Sequence, residues 1–166
     1  MKGLLTGFLL ASTCGLAQAQ VIEIKDIRMG MTQAEVAALY PQGLSQFTIG
    51  GYHAFTGKGP LLSFDANGKL GSFQFPYRQD LHSTFKALVK EKYPTMVCRD
   101  SVVQNNMGAQ YAQESCFVHG DDAVLNIVHY AGGTLEQGRM MVLSKVYLRQ
   151  EIERDKSQLN DRKKDF

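Results

Sequence analysis

The sequence predicts an α+β protein in which helices pack on one face of antiparallel sheet. Two amphipathic helix patterns each end at a Tyr-Pro pair, Tyr40-Pro41 and Tyr93-Pro94, and strand-like runs separated by tight turns follow each of them. The chain has 166 residues, of which 44% are hydrophobic, which is enough for one packed core. Because the two halves repeat this order, two tandem helix-plus-meander units are a hypothesis beside a single α+β domain.

The first helix is predicted from its start and stop signals. The segment 32–35, Thr-Gln-Ala-Glu, has the spacing of a capping box, in which Thr32 and Glu35 each accept a hydrogen bond from the other's backbone N–H. Val36 contributes to an apolar face, and Pro41 ends the helix because the residue before a proline avoids the α conformation.

The clearest strands after this helix are 61–64 and 70–75, which flank the sequence Asp-Ala-Asn-Gly at 65–68. Such sequences form tight turns between adjacent antiparallel strands, so a hairpin is expected there. Weaker strand candidates at 46–49 and 52–55 lie in a glycine-rich stretch.

A second helix is predicted over 81–92, where Phe85, Leu88 and Val89 recur with the helical period. Pro94 marks its end. The turn residues that follow divide the rest of the chain into a meander of four predicted strands, at 95–103, 110–119, 123–130 and 139–148.

The sequence thus divides into three regions. Residues 1–19 form a predicted signal peptide, and 20–148 form the α+β domain, with sub-units at 20–79 and 80–148 under the tandem hypothesis. The remaining residues, 149–166, carry 6 basic and 5 acidic side chains and form a predicted charged helix. This C-terminal helix is either solvated or a docking helix for a partner, and the sequence leaves both open.

The first region reads as a secretion signal that is cleaved after Ala19. Lys2 supplies its positive start, an apolar run follows, and Ala-Gln-Ala at 17–19 is the small-x-small pattern of a cleavage site. The apolar run is too short for a membrane span. Cys14 lacks the small residue that precedes a lipid-anchored cysteine, because a threonine stands there. We therefore expect export to the periplasm of a Gram-negative-type bacterium, without a lipid anchor.

Cys98 and Cys116 are the cysteines outside the signal, and an even number in an oxidising compartment indicates a disulfide. A hairpin centred near Met107, in the turn sequence at 105–108, would place them opposite each other on neighbouring strands. Such a bridge stabilises a fold by about 3 kcal/mol. The alternative, a pair of metal-binding thiols, lacks a CxxC spacing or a nearby histidine, so the sequence favours a structural disulfide.

The remaining patterns predict no catalytic residue, cofactor or metal ligand. His53, His82, His119 and His129 lack the spacing of zinc ligands, and no GxSxG motif is present. The glycine-rich stretch 51–59 lacks the Ser or Thr of a phosphate loop. A net charge of +2 gives no basic field for nucleic acid. We therefore predict a protein that is not an enzyme and has no nucleic-acid partner.

Two segments carry a family resemblance. The first, 27–36, reads Ile-Arg-Met-Gly-Met-Thr-Gln-Ala-Glu-Val, and the second, 61–70, reads Leu-Leu-Ser-Phe-Asp-Ala-Asn-Gly-Lys-Leu. They resemble the helix start and the Phe-Asp-x-x-Gly-x-Leu hairpin of the SmpA/OmlA (BamE-like) outer-membrane assembly lipoproteins. The resemblance covers 27–75 and implies a small α/β domain that binds other proteins. Leu-Tyr-Pro at 39–41 departs from the family's Gly-x-Pro, and 80–166 lie outside the pattern.

The leading functional hypothesis is a periplasmic, non-enzymatic protein-interaction or envelope-maintenance module whose partner is another envelope or exported protein. The alternative is an inhibitor-type or small-ligand binder that acts on an exported enzyme. Most aromatic residues of the first half should be core, but Tyr52, Phe55 and Tyr77 lie near glycine-rich segments and are candidates for an exposed interaction surface.

Overall fold

The structure, a computed structural model, describes residues 20–104, 107–131 and 137–163. The predicted signal at 1–19, with Cys14 and the cleavage site after Ala19, lies outside these residues. The described part has an α+β fold, as the sequence predicts. Its helices include none that is long and apolar enough to cross a membrane.

Helices and strands alternate irregularly along the chain. The helices are α1 (Gln33–Leu39), α2 (His82–Lys92) and α3 (Lys145–Lys163), with single 3₁₀ turns at Leu44–Gln46 and Gln79–Leu81. The strands are β1 (Glu23–Ile24), β2 (Ile27–Arg28), β3 (Thr48–Ile49), β4 (Tyr52–His53), β5 (Leu61–Phe64), β6 (Leu70–Arg78), β7 (Val97–Gln104), β8 (Gln110–His119), β9 (Ala123–Ala131) and β10 (Gln137–Ser144).

Six of these strands form one antiparallel sheet in the order β5-β6-β10-β9-β8-β7. β6 of the first half pairs with β10 of the second, so that Phe75 lies opposite Met140 and Phe73 opposite Val142. The proposed sub-units 20–79 and 80–148 therefore share a single sheet, and a tandem origin stays a hypothesis.

The core lies between this sheet and α2. Because side chains alternate along a strand, β6 directs Phe73, Phe75 and Tyr77 to the same face, where all three are fully buried. Phe85 of α2 packs among them, with ring centroids 5.9 Å from Phe75 and 4.5 Å from Tyr77. A buried aromatic cluster of this kind contributes both apolar area and favourable ring contacts.

Two local predictions from the sequence are confirmed. Glu35 N donates to Thr32 Oγ1 (3.2 Å) and Thr32 N donates to Glu35 Oε2 (2.6 Å), which is the capping box of α1. The Glu35 carboxylate accepts hydrogen bonds from the backbone N–H and from the hydroxyl of Thr32, and these hold the pKa of that carboxyl below its usual value. The 65–68 turn also forms, with Gly68 N donating to Asp65 O (2.9 Å) and Asp65 N to Lys69 O (2.8 Å).

The boundary between the last strand and the C-terminal helix differs from the prediction. The sequence predicts a strand to residue 148, whereas β10 ends at Ser144 and α3 begins at Lys145. Ser144 Oγ accepts a hydrogen bond from Tyr147 N (2.9 Å), as the side chain of a helix N-cap does. This cap outweighs the β propensity of the Val-Tyr pair that follows.

The contact between α3 and the sheet can be tested at Gly71. A Cβ added there would lie 2.2 Å from Cδ2 and 2.9 Å from Cβ of Tyr147. We expect Gly71→Ala to displace α3 and to lower the free energy of unfolding, measured in urea, by about 1–3 kcal/mol, the usual range for overpacking. In a Tyr147→Ala background the same change should be nearly neutral. An equal loss of unfolding free energy in both backgrounds would show that a side chain at residue 71 does not contact Tyr147.

Candidate functional site

β7 forms an open edge of the main sheet. It is the last strand in the sheet order, and β8 is its pairing partner within the described residues. Val97 and Val102 are 55% and 67% exposed, so apolar side chains stand in solvent on this strand. An exposed edge strand of this kind is a template for pairing with another chain.

The predicted disulfide lies where β7 and β8 pair. Cys98 lies directly opposite Cys116, with their Sγ atoms 2.03 Å apart, in the register that the hairpin prediction requires. Cys116 is fully buried, whereas Cys98 is half-buried. The disulfide therefore joins the edge strand β7 to its neighbour β8.

This pairing also sets the direction of the backbone groups of β7. The Cα atoms of Cys98 and Cys116 are 3.9 Å apart, which identifies a non-hydrogen-bonded pair of an antiparallel ladder. In such a ladder every second residue of β7, namely Cys98, Asp100 and Val102, points its N–H and C=O away from β8. Within the described chain no backbone hydrogen bond engages these outward groups.

A groove of about 460 Å³ lies between this edge and α2. Its α2 wall carries two lysines one helical turn apart, and its sheet side is formed where β7 begins. The lining residues are Ser83, Lys86, Ala87, Lys90, Met96 and Cys98. The groove thus combines an apolar floor, a positively charged wall and an open strand edge.

Lys90 fixes the connection from α2 to β7. Its Nζ donates to Pro94 O (2.7 Å) and Met96 O (2.9 Å). Of the described carboxylates, none forms an ion pair with it. The charge of Lys90 is therefore uncompensated at the groove.

Lys86 belongs instead to a chain of polar side chains that runs under α2. Lys86 and His82 hold the two carboxylate oxygens of Glu114: Lys86 Nζ donates to Oε1, and His82 Nε2 lies 2.6 Å from Oε2. His82 Nδ1 in turn lies 2.9 Å from the hydroxyl of Tyr77. The hydrogen bonds with Lys86, and then those with His82, hold the pKa of the Glu114 carboxyl below its usual value.

The Tyr77 end of this chain is sealed in the core. Burial, with a smaller effect of the Glu114 charge, raises the pKa of the Tyr77 phenol, so the hydroxyl keeps its proton. All partners are satisfied when Tyr77 donates to Nδ1 of a neutral His82, whose Nε2–H donates to Glu114. Tyr77 is fully buried at one end of this polar chain. At the other end, the side chains of Lys86 and Glu114 are partly exposed to solvent.

A second histidine lies against this chain. The ring of His129, on β9, stacks on that of His82 with centroids 4.5 Å apart and an interplanar angle of 16°. Its Nδ1 is buried and has no hydrogen-bond partner within the described chain. Burial, and then the neighbouring His82, lower the pKa of His129, while Glu114 opposes them. His129 is therefore held in its neutral form next to His82.

The polar chain attaches α2 to the sheet at several points. His82 is the first residue of α2, and it contacts Tyr77 of β6, Glu114 of β8 and His129 of β9. Loss of Tyr77 or Glu114 would leave a ring nitrogen of the buried His82 without a hydrogen bond, which costs about 1–3 kcal/mol. The network therefore positions the helical wall of the groove relative to its strand edge.

One group of side chains in this region could hold a metal ion. A ligand atom from each of Cys98, Cys116 and Glu114 lies within 4.8 Å of the others. In the disulfide form the two sulfur atoms are bonded to each other. The geometry of a metal site therefore depends on the redox state of this pair.

The aromatic surface predicted from the sequence needs one correction. Tyr52 and Phe55 are 38% and 41% exposed, so they are available to a partner. Tyr77 is fully buried, because β6 continues to Arg78 and its alternation directs residue 77 into the core. Its hydroxyl belongs to the polar chain with His82 and not to an exposed surface.

Sequence reasoning missed the polar chain, although two signals for it were present. His82 and Lys86 are four residues apart, so a helix places them on one face. A hairpin centred on the turn at 120–122 places Glu114 opposite His129, as the structure shows. No signal in the sequence indicated that this helix face would lie above this part of the sheet.

Comparison with known proteins does not assign a family. Neither protein-family models, nor curated proteins, nor solved structures match this chain. The resemblance of 27–75 to the SmpA/OmlA family therefore stays a prediction, and any functional proposal depends on the geometry described above.

The lowered pKa of His129 predicts a loss of stability in weak acid. The pKa of His129 is lowered by folding from its ordinary value of 6.5, so below pH 6.5 the unfolded chain binds more protons than the folded one. The free energy of unfolding should fall as the pH decreases through 6.5 and level off below the folded-state pKa. Glu114 affects stability in a separate, lower pH range. Its stabilising contribution is fully present above pH 4.5 and is lost as the pH falls through its lowered pKa.

Urea unfolding at a series of pH values measures this dependence. His129→Phe keeps a stacked ring but removes the titrating group. The free energy of unfolding of this variant should therefore change less between neutral pH and the lower pH range in which Glu114 titrates. His53→Phe, at an exposed histidine, is the matched control and should leave the profile unchanged. Identical profiles for His129→Phe and the unaltered protein would rule out this account.

Proposed function

We propose that this protein is a non-enzymatic binding module of the bacterial periplasm that captures an extended segment of another exported or envelope protein. The segment adds as a new strand to β7. The observation that carries the proposal is the set of outward backbone groups of Cys98, Asp100 and Val102 on an exposed edge. Strand addition of this kind provides affinity through main-chain hydrogen bonds.

The groove beside the edge supplies selectivity. Every second side chain of an added strand would point toward α2, where the floor includes Ala87 and Met96 and the wall carries Lys86 and Lys90. An apolar side chain fits the floor, and an acidic side chain or terminal carboxylate fits next to Lys90, whose charge has no ion-pair partner within the described chain. The preferred ligand is therefore an extended segment with an apolar residue close to an acidic one.

The cysteine pair and the predicted signal support the proposed location. A disulfide persists in an oxidising compartment, and the signal predicted at 1–19 directs export. The resemblance of 27–75 to outer-membrane assembly lipoproteins agrees with a protein-binding role in the envelope.

A second candidate function is the inhibitor-type or small-ligand binder. A separate groove of about 440 Å³ is lined by Phe55, Arg78, Gln79 and Asp80, with Arg78 Nη2 3.0 Å from Asp80 Oδ2. Its exposed aromatic ring and its two opposite charges suit a small polar ligand or a loop of an exported enzyme. This candidate uses a surface distinct from β7, so substitutions separate the two.

Val102→Pro tests strand addition directly. The backbone N–H of Val102 points outward, so proline removes a donor to the added strand without removing a hydrogen bond of the β7–β8 ladder. Val102→Ala is the matched control, because it removes the side chain and keeps the N–H. We expect Val102→Pro to weaken binding about tenfold or more, and Val102→Ala to change it less than about threefold.

The measurement is affinity capture from periplasmic extract with each variant, followed by titration with peptides from the captured protein. Circular dichroism and an intact disulfide verify the fold of both variants. Equal capture by the two variants would refute strand addition at β7. If Phe55→Ala instead abolishes capture, the second candidate function takes its place.

A further inference from the structure

We propose that the reduced protein binds Zn²⁺ through the thiolates of Cys98 and Cys116 and the carboxylate of Glu114. The proposal is independent of strand addition, since it rests on three ligand atoms that lie within 4.8 Å of one another while the two sulfur atoms are still bonded. Two thiolates and a carboxylate form a donor set that zinc accepts.

The backbone places these three donors on one face of the β7–β8 pair. Glu114 and Cys116 are two residues apart on β8, so their side chains point to the same side, and Cys98 lies directly opposite Cys116. In a tetrahedral zinc site the ligand atoms are roughly 3.3–3.8 Å apart, given Zn–S distances of about 2.3 Å and Zn–O distances of about 2.0 Å. Reduction breaks the S–S bond, and rotation about the Cα–Cβ bonds of the two cysteines then changes the separation of their sulfur atoms.

The carboxylate of Glu114 is already oriented toward the cysteines by its neighbours. Lys86 and His82 each occupy one of its oxygens, and a carboxylate oxygen has a second lone pair for a metal ion. His82 can stay in place, because an N–H donor behind a ligating carboxylate strengthens a metal site. The Lys86 ammonium would repel the ion, but its side chain is 38% exposed and can turn into solvent.

The site is accessible from the groove. Cys98 lines the groove and is half-buried, so a reductant and a hydrated metal ion can both reach it. Three protein ligands leave a fourth position for water. The carboxylate that the sequence alone did not place near these cysteines belongs to Glu114 of β8, and His82 of α2 contacts it from the other side.

Reduction of the Cys98–Cys116 disulfide requires an added reductant. A phosphine R₃P and one water convert the disulfide to two thiols and R₃P=O, so that two electrons pass to the sulfur atoms. A dithiol does the same by exchange and becomes a disulfide itself. Zn²⁺ then displaces the two thiol protons, which are released to solvent.

Titration of the reduced protein with Co²⁺, followed by Zn²⁺, tests the site. After anaerobic removal of the phosphine, we expect one equivalent of Co²⁺ to produce a thiolate-to-cobalt charge-transfer band that Zn²⁺ abolishes. The disulfide form should show no band. Glu114→Gln should weaken metal binding about tenfold or more, whereas Asp100→Asn, on the same face but outside the donor group, should change it less than about threefold. Lys86→Gln should strengthen it.

Thermal unfolding of the reduced protein, with and without Zn²⁺, distinguishes metal binding at a folded site from metal binding by the thiols of an unfolded chain. Binding to the native arrangement raises the unfolding temperature, whereas binding to an unfolded chain does not. A band without that rise, a reduced chain that stays unfolded with Zn²⁺, or equal affinities for Glu114→Gln and Asp100→Asn would each overturn the proposal.

Discussion

The attachment of α2 to the sheet determines where the groove and the polar chain lie. Two chemically different contacts produce it. Phe85 packs among the rings of Phe75 and Tyr77, and burying such a side chain contributes about 1.5–3 kcal/mol. One turn earlier, His82 connects the helix to Tyr77 and Glu114 through hydrogen bonds. The apolar contact supplies most of the attraction, and the directional hydrogen bonds determine where the helix lies.

The groove is a direct consequence of this attachment. Because α2 is held above β6, β8 and β9, its lysine-bearing face stands beside β7 without covering that strand. Lys90 holds the segment between α2 and β7 in place by donating hydrogen bonds to the carbonyls of Pro94 and Met96. A rigid helix, an open strand and a tight connection together form a preformed cleft, and a preformed cleft lowers the ordering entropy of binding.

The same region concentrates groups whose state depends on the environment. His129 is neutral because it is desolvated beside His82, and Glu114 is ionised because Lys86 and His82 donate to it. The cysteine pair adjoins this carboxylate. Acid and reductant therefore act on neighbouring side chains beneath one helix, while the aromatic core around Phe85 holds the fold.

Local features of this protein were determined by the sequence alone, because they depend on neighbours along the chain. The capping box at Thr32, the turn at Asp65 and the pairing of Cys98 with Cys116 follow from spacing of a few residues or from the register of one hairpin. The period of α2 likewise predicts its buried face. The start of α3 was missed, since Ser144 becomes a cap only once β10 has ended there.

Which distant segments of the chain meet depends on tertiary packing. The pairing of β6 with β10 merged the two halves into one sheet, and the extension of β6 to Arg78 buried Tyr77 where the sequence suggested an exposed ring. His82 and Glu114 are 32 residues apart and meet because α2 crosses the sheet at one position. That position results from the packing of many side chains at once, and no local pattern encodes it.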